Sequence, residues 1–431
     1  MTFSYSNFVS DGKYRLFFAL VLAIFHQVFP SFVFLTLSLH ISYQSMKMFQ
    51  NLPQKHRSAD ISIFSVMSAL ASQHDAINLS QGFPDFPIDP ELGALLHEAT
   101  VKGWNQYAPM TGLPQLREAI AADFKRRYAV NLNPDTEISI TPGATYAIYS
   151  AFSAILGPGD EVIVLEPAYD SYIPNIEMNG AKAVPVKLVP HTFAPDWQAI
   201  KDAISTKTKA IIINTPHNPT GSIWAHKDWN QLADLVRDTS IFILSDEVYE
   251  QLIFDEQSHY SIVQHPELRE RSFAVFSFGK AFHNTGWKMG YCIAAPMLTQ
   301  AFRRLHQFLG FSVNTPAQFA LAQYLSLDKR EAPNTLLQSK RDYFLELMKE
   351  TPFTLLAPAA GSYFQLASYA HMSDLPDTAF ARLLTEKYGV ATIPISAFYS
   401  DKHDDKILRF CFAKKEETLK AAIERLAKID L

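Results

Sequence analysis

The sequence predicts an α/β protein with a largely parallel sheet and helices on both of its faces. From Ile61 onward, short apolar runs alternate with longer amphipathic stretches, which is the pattern of strands connected by helices. Of the 431 residues, 48% are hydrophobic and 19% are charged, a balance typical of globular proteins with a large core. A chain of this length predicts roughly two or three domains.

Six apolar runs are predicted to form strands of one sheet. The first, ISIT at 138–141, leads directly into the helix-like stretch PGATYAIYSAFSAIL. The other five runs are rich in β-branched and aromatic residues, and they cover 160–167, 209–216, 241–250, 272–280 and 291–296. Helical stretches such as 227–238 lie between several of these strands, which favours parallel pairing.

Polar residues follow the predicted strands at the points where the strands end. They occupy 141–145, 166–169, 214–221, 246–249 and 277–280. Ligands of open α/β sheets bind at the carboxyl ends of the strands. We therefore expect these five segments to meet at a single site.

The pattern changes after about residue 310, and this change predicts a second, smaller domain. A long helical stretch at 315–350 leads to a strand-rich and helical tail that ends in a helix at 416–429. We expect a large domain at 87–310 and a small C-terminal domain at 311–431. The segment 46–86 is expected to pack with the small domain.

The first 45 residues form an apolar extension, with apolar runs at 16–25 and 32–39. Three interpretations of this extension remain open: translation that begins at Met46 or Met48, a membrane anchor, or a structural role. A secretory signal peptide is disfavoured because the segment is too long and has no clear small-residue cleavage site.

Charge and cysteine content exclude several classes of function. The formal net charge of −5 gives no electrostatic case for binding nucleic acid. The two cysteines, Cys292 and Cys411, are too few for a disulfide framework, and neither has the spacing of a metal ligand. His217 and His283 fit no metal motif either, so we expect no metal.

Two lysines in the stretch SFGKAFHNTGWKMGY, residues 277–291, indicate chemistry. A lysine at the end of a strand is costly to bury unless it loses its charge and acts as a nucleophile, or meets an anion. We interpret Lys280 as the nucleophile and Lys288 as the residue that meets an anion.

Seven motifs together resemble one family, the class I and II aminotransferases of fold type I, and most closely the methionine and kynurenine aminotransferase group. The motifs are NLSQGFPDF, NQYAPMTGLPQLREAI, EPAYDSY, NTPHNPTG, SDEVYE, SFGKAFHNTGWKMGY and LRFCFAKKE. The resemblance covers about residue 61 to the C-terminus. It implies the fold of pyridoxal-phosphate-dependent transferases, with a mixed, mostly parallel seven-stranded sheet in the large domain and a smaller α+β domain.

The resemblance implies pyridoxal 5′-phosphate as cofactor and assigns its catalytic residues. Lys280 matches the lysine that forms a Schiff base with the cofactor in a ping-pong mechanism and shuttles a proton. Asp246 matches the carboxylate that pairs with the pyridinium nitrogen. Tyr249 and Asn218 match the donors to the ring oxygen, and Tyr169 matches the aromatic ring that stacks on the cofactor.

The resemblance also implies the binding sites for phosphate and substrate. The residues matched to the phosphate site are Gly143, Ala144, Thr145, Ser277 and Lys288, where many relatives carry arginine in place of the lysine. Tyr107 resembles a tyrosine that reaches the phosphate of a neighbouring subunit, which implies a homodimer with shared active sites.

Arg409 matches the arginine that binds the substrate α-carboxylate, with Gly82 and Asn218 beside it. No second arginine is placed to bind an acidic substrate side chain, so we expect methionine as first donor and aromatic amino acids or glutamine next. The expected side-chain pocket consists of Phe83, Tyr107, Tyr363 and Phe398.

Two alternatives of the same fold remain open. One is a kynurenine–oxoglutarate transaminase or a lyase that cleaves the Cβ–S bond of cysteine conjugates. The other is a non-catalytic regulator that binds pyridoxal phosphate, although residues 1–60 show no helix-turn-helix pattern. We expect a cytoplasmic enzyme.

Overall fold

The computed structural model of the protein describes residues 61–327, 329 and 331–430. These residues belong to one compact unit. The apolar extension at 1–45 and the segment 46–60 lie outside the described residues. The boundaries expected at residues 87 and 311 stay a prediction.

Thirteen strands are found in the described part of the chain. They are β1 (Ile77–Asn78), β2 (Ile138–Thr141), β3 (Glu161–Glu166), β4 (Lys182–Lys187), β5 (Thr208–Asn214), β6 (Phe242–Asp246), β7 (Ser272–Ser277), β8 (Gly290–Ala294), β9 (Thr354–Leu355), β10 (Phe364–Ser368), β11 (Val390–Ala391), β12 (Ile393–Pro394) and β13 (Ile407–Cys411).

Fourteen α-helices connect and cover the strands of the described residues. They are α1 (Ile63–Gln73), α2 (Pro90–Val101), α3 (Pro114–Tyr128), α4 (Ala144–Ile155), α5 (Tyr172–Met178), α6 (Trp197–Asp202), α7 (His226–Val236), α8 (Pro266–Arg269), α9 (Phe278–Ala281), α10 (Pro296–Leu309), α11 (Thr315–Leu325), α12 (Glu331–Met348), α13 (Asp377–Tyr388) and α14 (Glu416–Leu426). None of the helices in this part of the chain is long and apolar enough to cross a membrane.

The main sheet has seven strands in the order β2-β8-β7-β6-β5-β3-β4. The pairs from β7 to β4 are parallel, whereas β8 runs antiparallel to both β2 and β7. The predicted mixed, mostly parallel seven-stranded sheet is therefore confirmed. A four-stranded antiparallel sheet, β12-β13-β10-β9, and the parallel pair β1-β11 complete the strand pairing of the described residues.

Alternate residues of the central strands enter two separate cores, one on each face of the main sheet. Val162 and Val164 of β3 pack in the core under α4, whereas Ile163 and Leu165 pack in the opposite core with α3 and α7. This alternation is the period-two geometry of a strand. Helices cover both faces, so the apolar runs seen in the sequence are explained.

Strand β4 was not predicted, because it lies at the edge of the sheet. Its sequence, KAVPVK, contains Pro185 and two exposed lysines, a composition that favours a loop when read locally. Proline is tolerated there because an edge strand leaves one row of backbone groups unpaired. The predicted helix at 315–350 is likewise two helices, α11 and α12.

Strand β7 carries the aromatic packing that supports the site described below. Phe276 is buried, stacks on Tyr291 at 4.9 Å between ring centroids and meets the edge of Phe124 at 5.3 Å. The next residue, Ser277, ends the strand, and α9 begins at once. The position of Lys280 therefore depends on the packing of β7.

We expect Phe276→Ala to lower the free energy of unfolding by about 3–5 kcal/mol, because it removes a large ring from a close-packed core. Urea denaturation followed by circular dichroism measures the loss. Phe276→Leu should cost less, and Val101→Ala, at a position that is 71% exposed, should leave the midpoint within error. Equal midpoints for all three variants would contradict this account of β7.

Candidate active site

A cavity of about 340 Å³ opens at the carboxyl ends of β5, β6 and β7. Twelve of the thirteen predicted site residues line it: Gly82, Gly143, Ala144, Thr145, Tyr169, Asn218, Asp246, Tyr249, Ser277, Lys280, Lys288 and Arg409. The thirteenth, Tyr107, lies outside this cavity and is 83% exposed. The expected convergence of the strand ends is thus observed.

Lys280 lies on the short helix α9, three residues after the end of β7. Its Nζ donates a hydrogen bond of 3.3 Å to the carbonyl of Gly82 and lies 5.7 Å and 5.8 Å from the ring centroids of Tyr249 and Tyr363. Burial lowers the pKa of the Lys280 amine from 10.5 to about 8. About a tenth of this amine is therefore uncharged at pH 7, far more than for an ordinary lysine, and the uncharged form is the nucleophile.

Asp246 is the last residue of β6, and its carboxyl group is buried. Tyr172 donates its hydroxyl to Asp246 Oδ2 at 2.6 Å, and the backbone N–H of Val248 donates to Oδ1 at 3.3 Å. Burial raises the pKa of Asp246 to about 6, while these two hydrogen bonds and the charge of Lys280 act in the opposite direction. The carboxyl group is oriented for a partner inside the cavity.

Tyr249 lies beside Lys280, and Asn218 lies beside Arg409. The Tyr249 ring meets the edge of Tyr363 at 5.2 Å, and burial raises the pKa of its hydroxyl, which keeps it protonated as a donor. The backbone N–H of Asn218 donates to Asn214 Oδ1 at 2.8 Å, which fixes the turn NTPHNPTG after β5. The peptide bond Asn218–Pro219 in this turn is cis.

Arg409 of β13 is fully buried. Its Nη1 donates to Asn218 Oδ1 at 2.7 Å, and Nη2 donates to the carbonyl of Ser80 at 2.6 Å. The guanidinium carbon lies 3.8 Å from the ring centroid of Phe364 and 5.1 Å from that of Phe64. Among the described residues, no carboxylate forms an ion pair with Arg409, and its Nε has no hydrogen-bond partner. Burial lowers its pKa to about 10. An external carboxylate would satisfy this guanidinium.

An anion cradle lies where β2 passes into α4. Gly143 takes φ +84°, and the twelve-residue helix α4 starts at the next residue, so its first N–H groups are free to bind an anion. A Cβ atom at Gly143 would come within 3.4 Å of Lys288 Nζ. Within the described parts of the chain, Lys288 makes no ion pair with a carboxylate. Ser277 adds a hydroxyl to the lining.

These groups fit pyridoxal phosphate. A phosphate dianion suits the free N–H groups of α4 together with the unpaired charge of Lys288. The Asp246 carboxyl suits the ring nitrogen, and the partly uncharged Lys280 amine suits the aldehyde. The fit rests on the set of donors and acceptors in the cavity, and each of them was expected at the sequence level.

The aromatic residues of the cavity differ from the expected ones. Phe64 and Phe364 line it, whereas the predicted pocket residues Phe83, Tyr107, Tyr363 and Phe398 do not. Phe83 is 44% exposed and lies under the Lys414 ammonium. Tyr363 and Phe398 lie behind the lining: the Tyr363 hydroxyl donates to the carbonyl of Gly82, and Phe398 packs on Phe64.

Further lining residues were missed at the sequence level. Eight of them fall inside the quoted motifs, which therefore carried a signal for them: Gln81, Asp170, Tyr172, Asn214, Val248, Gly279, Thr285 and Met289. The other four have no local signal: Ser62, Phe64, Ile148 and Phe364. No group of three or more histidine, cysteine or acidic residues in the described chain could hold a metal ion.

Comparisons with known proteins agree with this geometry. A family model described as aminotransferase class I and II matches residues 74–426. A methionine aminotransferase from Escherichia coli (strain K12) is 46% identical over 369 residues, which cover 85% of this chain and 95% of that protein. A kynurenine–oxoglutarate transaminase from Dictyostelium discoideum is 34% identical and is matched over 94% of its length and 85% of this chain. A crystal structure of an Escherichia coli protein with a methionine aminotransferase function is 45% identical, with a TM-score of 0.85 over 88% of this chain and 100% of that chain.

In the cofactor-free protein, we expect the reactivity of Lys280 toward a trace acylating reagent to rise with pH and to reach half its maximum near pH 8. The reason is that only the uncharged amine reacts, and burial lowers the pKa of this one from 10.5. Mass spectrometry of the peptide that contains Lys280 measures the rate at each pH.

An exposed lysine in the same digest is the internal reference, because ordinary lysines react at half-maximal rate only above about pH 10. Lys280→Ala identifies the signal. A Lys280 profile that coincides with the reference would show that the amine keeps its ordinary charge.

Proposed function

The chain belongs to the class I and II aminotransferases, and on that premise we propose that it transfers the amino group of methionine to a 2-oxo acid. It is a pyridoxal-phosphate-dependent transaminase. When bound, pyridoxal phosphate supplies an aldehyde carbon that takes up an amino group and a ring that withdraws electrons.

Four residues of the cavity would have roles in the reaction. Lys280 would act first as nucleophile and then move a proton at the substrate Cα, for which an amine with a pKa near 8 is suited. Asp246 would hold a proton at the ring nitrogen, and Tyr249 would donate to the ring oxygen. The ring of Tyr169, which lines the same cavity, would cover one face of the cofactor.

Binding of phosphate and substrate would fall to the remaining polar groups. Lys288, Ser277 and the start of α4 would hold the phosphate, and Gly143 lets the backbone approach it. Arg409 would bind the α-carboxylate with Asn218 beside it, since its guanidinium is held in place but lacks a charged partner within the described chain.

The charge of the cavity is the observation that supports a neutral amino donor. Lys280, Lys288 and Arg409 are the cationic residues of its lining, and each has a role in the reaction or in binding the common parts of the ligands. No lining cation is left for an acidic substrate side chain. Phe64 and Phe364 instead offer apolar ring surface, which suits the thioether of methionine.

Aromatic amino acids are the second donor class that an observation favours. The same ring surface accepts aromatic side chains, and the relatives of 32–34% identity include kynurenine–oxoglutarate transaminases. Cleavage of cysteine conjugates uses the same lysine, and pyruvate and ammonia as products would identify it.

We further propose that the active unit is a homodimer. Four large apolar side chains are exposed at Tyr107 and in the segment 308–311, namely Tyr107, Phe308, Leu309 and Phe311, at 51–84%, and the Tyr107 ring lies 5.5 Å from that of Phe311. Exposed apolar side chains grouped in this way favour an interface. A second copy of the chain is the occupant that would also bring Tyr107 to a phosphate site. A cytoplasmic location is proposed because both cysteines are buried free thiols.

L-methionine alone, mixed with the cofactor-loaded protein, is expected to convert the enzyme from its pyridoxal form to its pyridoxamine form. Visible absorbance follows the conversion, and L-aspartate serves as the acidic comparison of similar length. We expect methionine to react at least tenfold faster at equal concentration, because an unpaired carboxylate would have to be desolvated in the cavity. Faster conversion by aspartate would rule out the proposed donor class.

Arg409→Lys is expected to raise the KM for methionine by roughly 10- to 100-fold, because one ammonium replaces a planar fork that makes several charge-assisted hydrogen bonds. Steady-state kinetics at saturating acceptor measure KM and kcat. Arg382→Lys is the matched control, since this arginine is exposed and pairs with Glu386 far from the cavity. If both variants keep the same KM as the unmodified enzyme, Arg409 does not bind the carboxylate.

A further inference from the structure

The segment 105–111, which carries Tyr107, is held by a regular set of side-chain hydrogen bonds. Thr315 Oγ1 donates to the carbonyl of Gln106 at 2.6 Å, and Ser312 Oγ donates to the carbonyl of Ala108 at 3.0 Å. A ring nitrogen of His306 lies 3.0 Å from the carbonyl of Met110. Every second carbonyl from Gln106 to Met110 is therefore bound by a side chain of α10, of α11 or of the loop between them.

The protonation of His306 follows from these contacts. A carbonyl oxygen only accepts hydrogen bonds, so Nε2 must donate to Met110. In the neutral ring Nδ1 is then an acceptor, and it receives the hydroxyl of Tyr146 at 2.8 Å. Tyr146 lies in the first turn of α4, beside the anion cradle. His306 is fully buried, so this chain of bonds lies inside the protein.

These bonds present the Tyr107 side chain outward. Residues 107–109 form neither helix nor strand, so the conformation of the segment is set by the hydrogen bonds to its carbonyls. With its carbonyls at 106, 108 and 110 bound inward, the Tyr107 ring stands in solvent and packs only its edge on Phe311, at 5.5 Å. Phe311 itself takes φ +55°, a left-handed conformation that a large side chain rarely adopts and that marks a constrained position.

We propose that Thr315, Ser312 and His306 are positioning residues that hold Tyr107 ready to enter the active site of a second copy of this chain. The inference rests on the proposed homodimer, and it adds that the conformation of the Tyr107 segment is set within its own protomer before the two copies meet. Preorganisation of this kind lowers the entropic cost of completing a shared site. A defect at Thr315 or Ser312, which bond only to the Tyr107 segment in the contacts described above, therefore acts on the partner's site and leaves the protomer's own site intact.

Mixed dimers test this directly. Two differently tagged chains are coexpressed and purified by both tags, and one of them carries Lys280→Ala, so that a single site can fix the cofactor. The readout is the concentration of pyridoxal phosphate that half-saturates the site, measured from the cofactor fixed to Lys280 by borohydride reduction. The variant under test, Thr315→Val with Ser312→Ala, is placed either on the chain with Lys280 or on the chain without it.

With the double variant on the chain that lacks Lys280, we expect half-saturation to need about tenfold more cofactor, because two hydrogen bonds that fix the segment are lost. With the double variant on the chain that keeps Lys280, the value should stay unchanged. Thr315→Ser keeps the hydroxyl, so replacing Thr315→Val by it should recover part of the lost affinity, because only the Ser312 bond is then missing. Hydrogen exchange of the peptide 105–112 should be faster in the double variant wherever it is placed.

Three results would overturn the inference, and they are distinguishable. A weaker affinity only when the double variant shares a chain with Lys280 would assign these residues a local structural role. An effect of Tyr107→Phe across the dimer without any effect of the double variant would leave the shared site intact and refute the positioning. If Tyr107→Phe itself has no effect across the dimer, the shared site of the proposed function fails, and the inference fails with it.

Discussion

A fully buried guanidinium without a carboxylate partner among the described residues is the interaction on which the active site depends. Arg409 joins β13 to the turn after β5 through Asn218, and to the segment before α2 through Ser80. It lies between the rings of Phe364 and Phe64, whose faces attract a cation but leave its Nε unsatisfied. Removing a charge from water without a counter-charge is unfavourable, so the chain maintains this arrangement at the expense of stability. A carboxylate ligand recovers that free energy, which is why substrate binding and the assembly of these three segments are coupled.

The pKa values of the two titratable groups at the centre of the cavity, Lys280 and Asp246, are shifted toward each other. Burial lowers the pKa of Lys280 to about 8 and raises that of Asp246 to about 6. A proton-transfer group works best when its pKa lies near the working pH, and these shifts place both groups on either side of neutrality. Tyr172 keeps the Asp246 carboxyl oriented, and the neighbouring cations Arg409 and Lys288 help to hold the Lys280 amine uncharged. Burial thus sets the chemistry of the site as much as the identity of its residues does.

The sequence predicted the strands that are buried and therefore read as apolar runs. It did not predict elements or residues whose positions depend on contacts with distant parts of the chain. Strands β3, β5, β6 and β7 lie inside the sheet and read as apolar runs, whereas β4 at the edge, with Pro185 and exposed lysines, gave no strand signal. Most of the motif residues of the site follow a strand end, whereas Arg409, inside β13, and Lys288, before β8, were found through the family resemblance. Phe64 and Phe364 were missed because their positions near Arg409 follow from tertiary packing: Phe64 comes from a distant part of the chain, and Phe364 from the strand paired with β13. For the same reason Phe83, which is adjacent to Gly82 in sequence, was wrongly expected in the lining.

The anion cradle and the Tyr107 segment form one hydrogen-bonded unit within the protomer. Tyr146 on the first turn of α4 donates to His306, and His306 donates to the carbonyl of Met110, so a chain of hydrogen bonds links the start of α4 to the segment. In the proposed dimer, the cradle binds phosphate in its own site while the segment completes the site of the partner. If cofactor binding orders the cradle, the hydrogen bonds to the segment also favour the conformation that the segment adopts at the dimer interface. By thermodynamic reciprocity, dimer formation must strengthen cofactor binding by the same factor. Cofactor binding in one site of the dimer is then coupled to cofactor binding in the other, although no residue contacts both cofactor molecules.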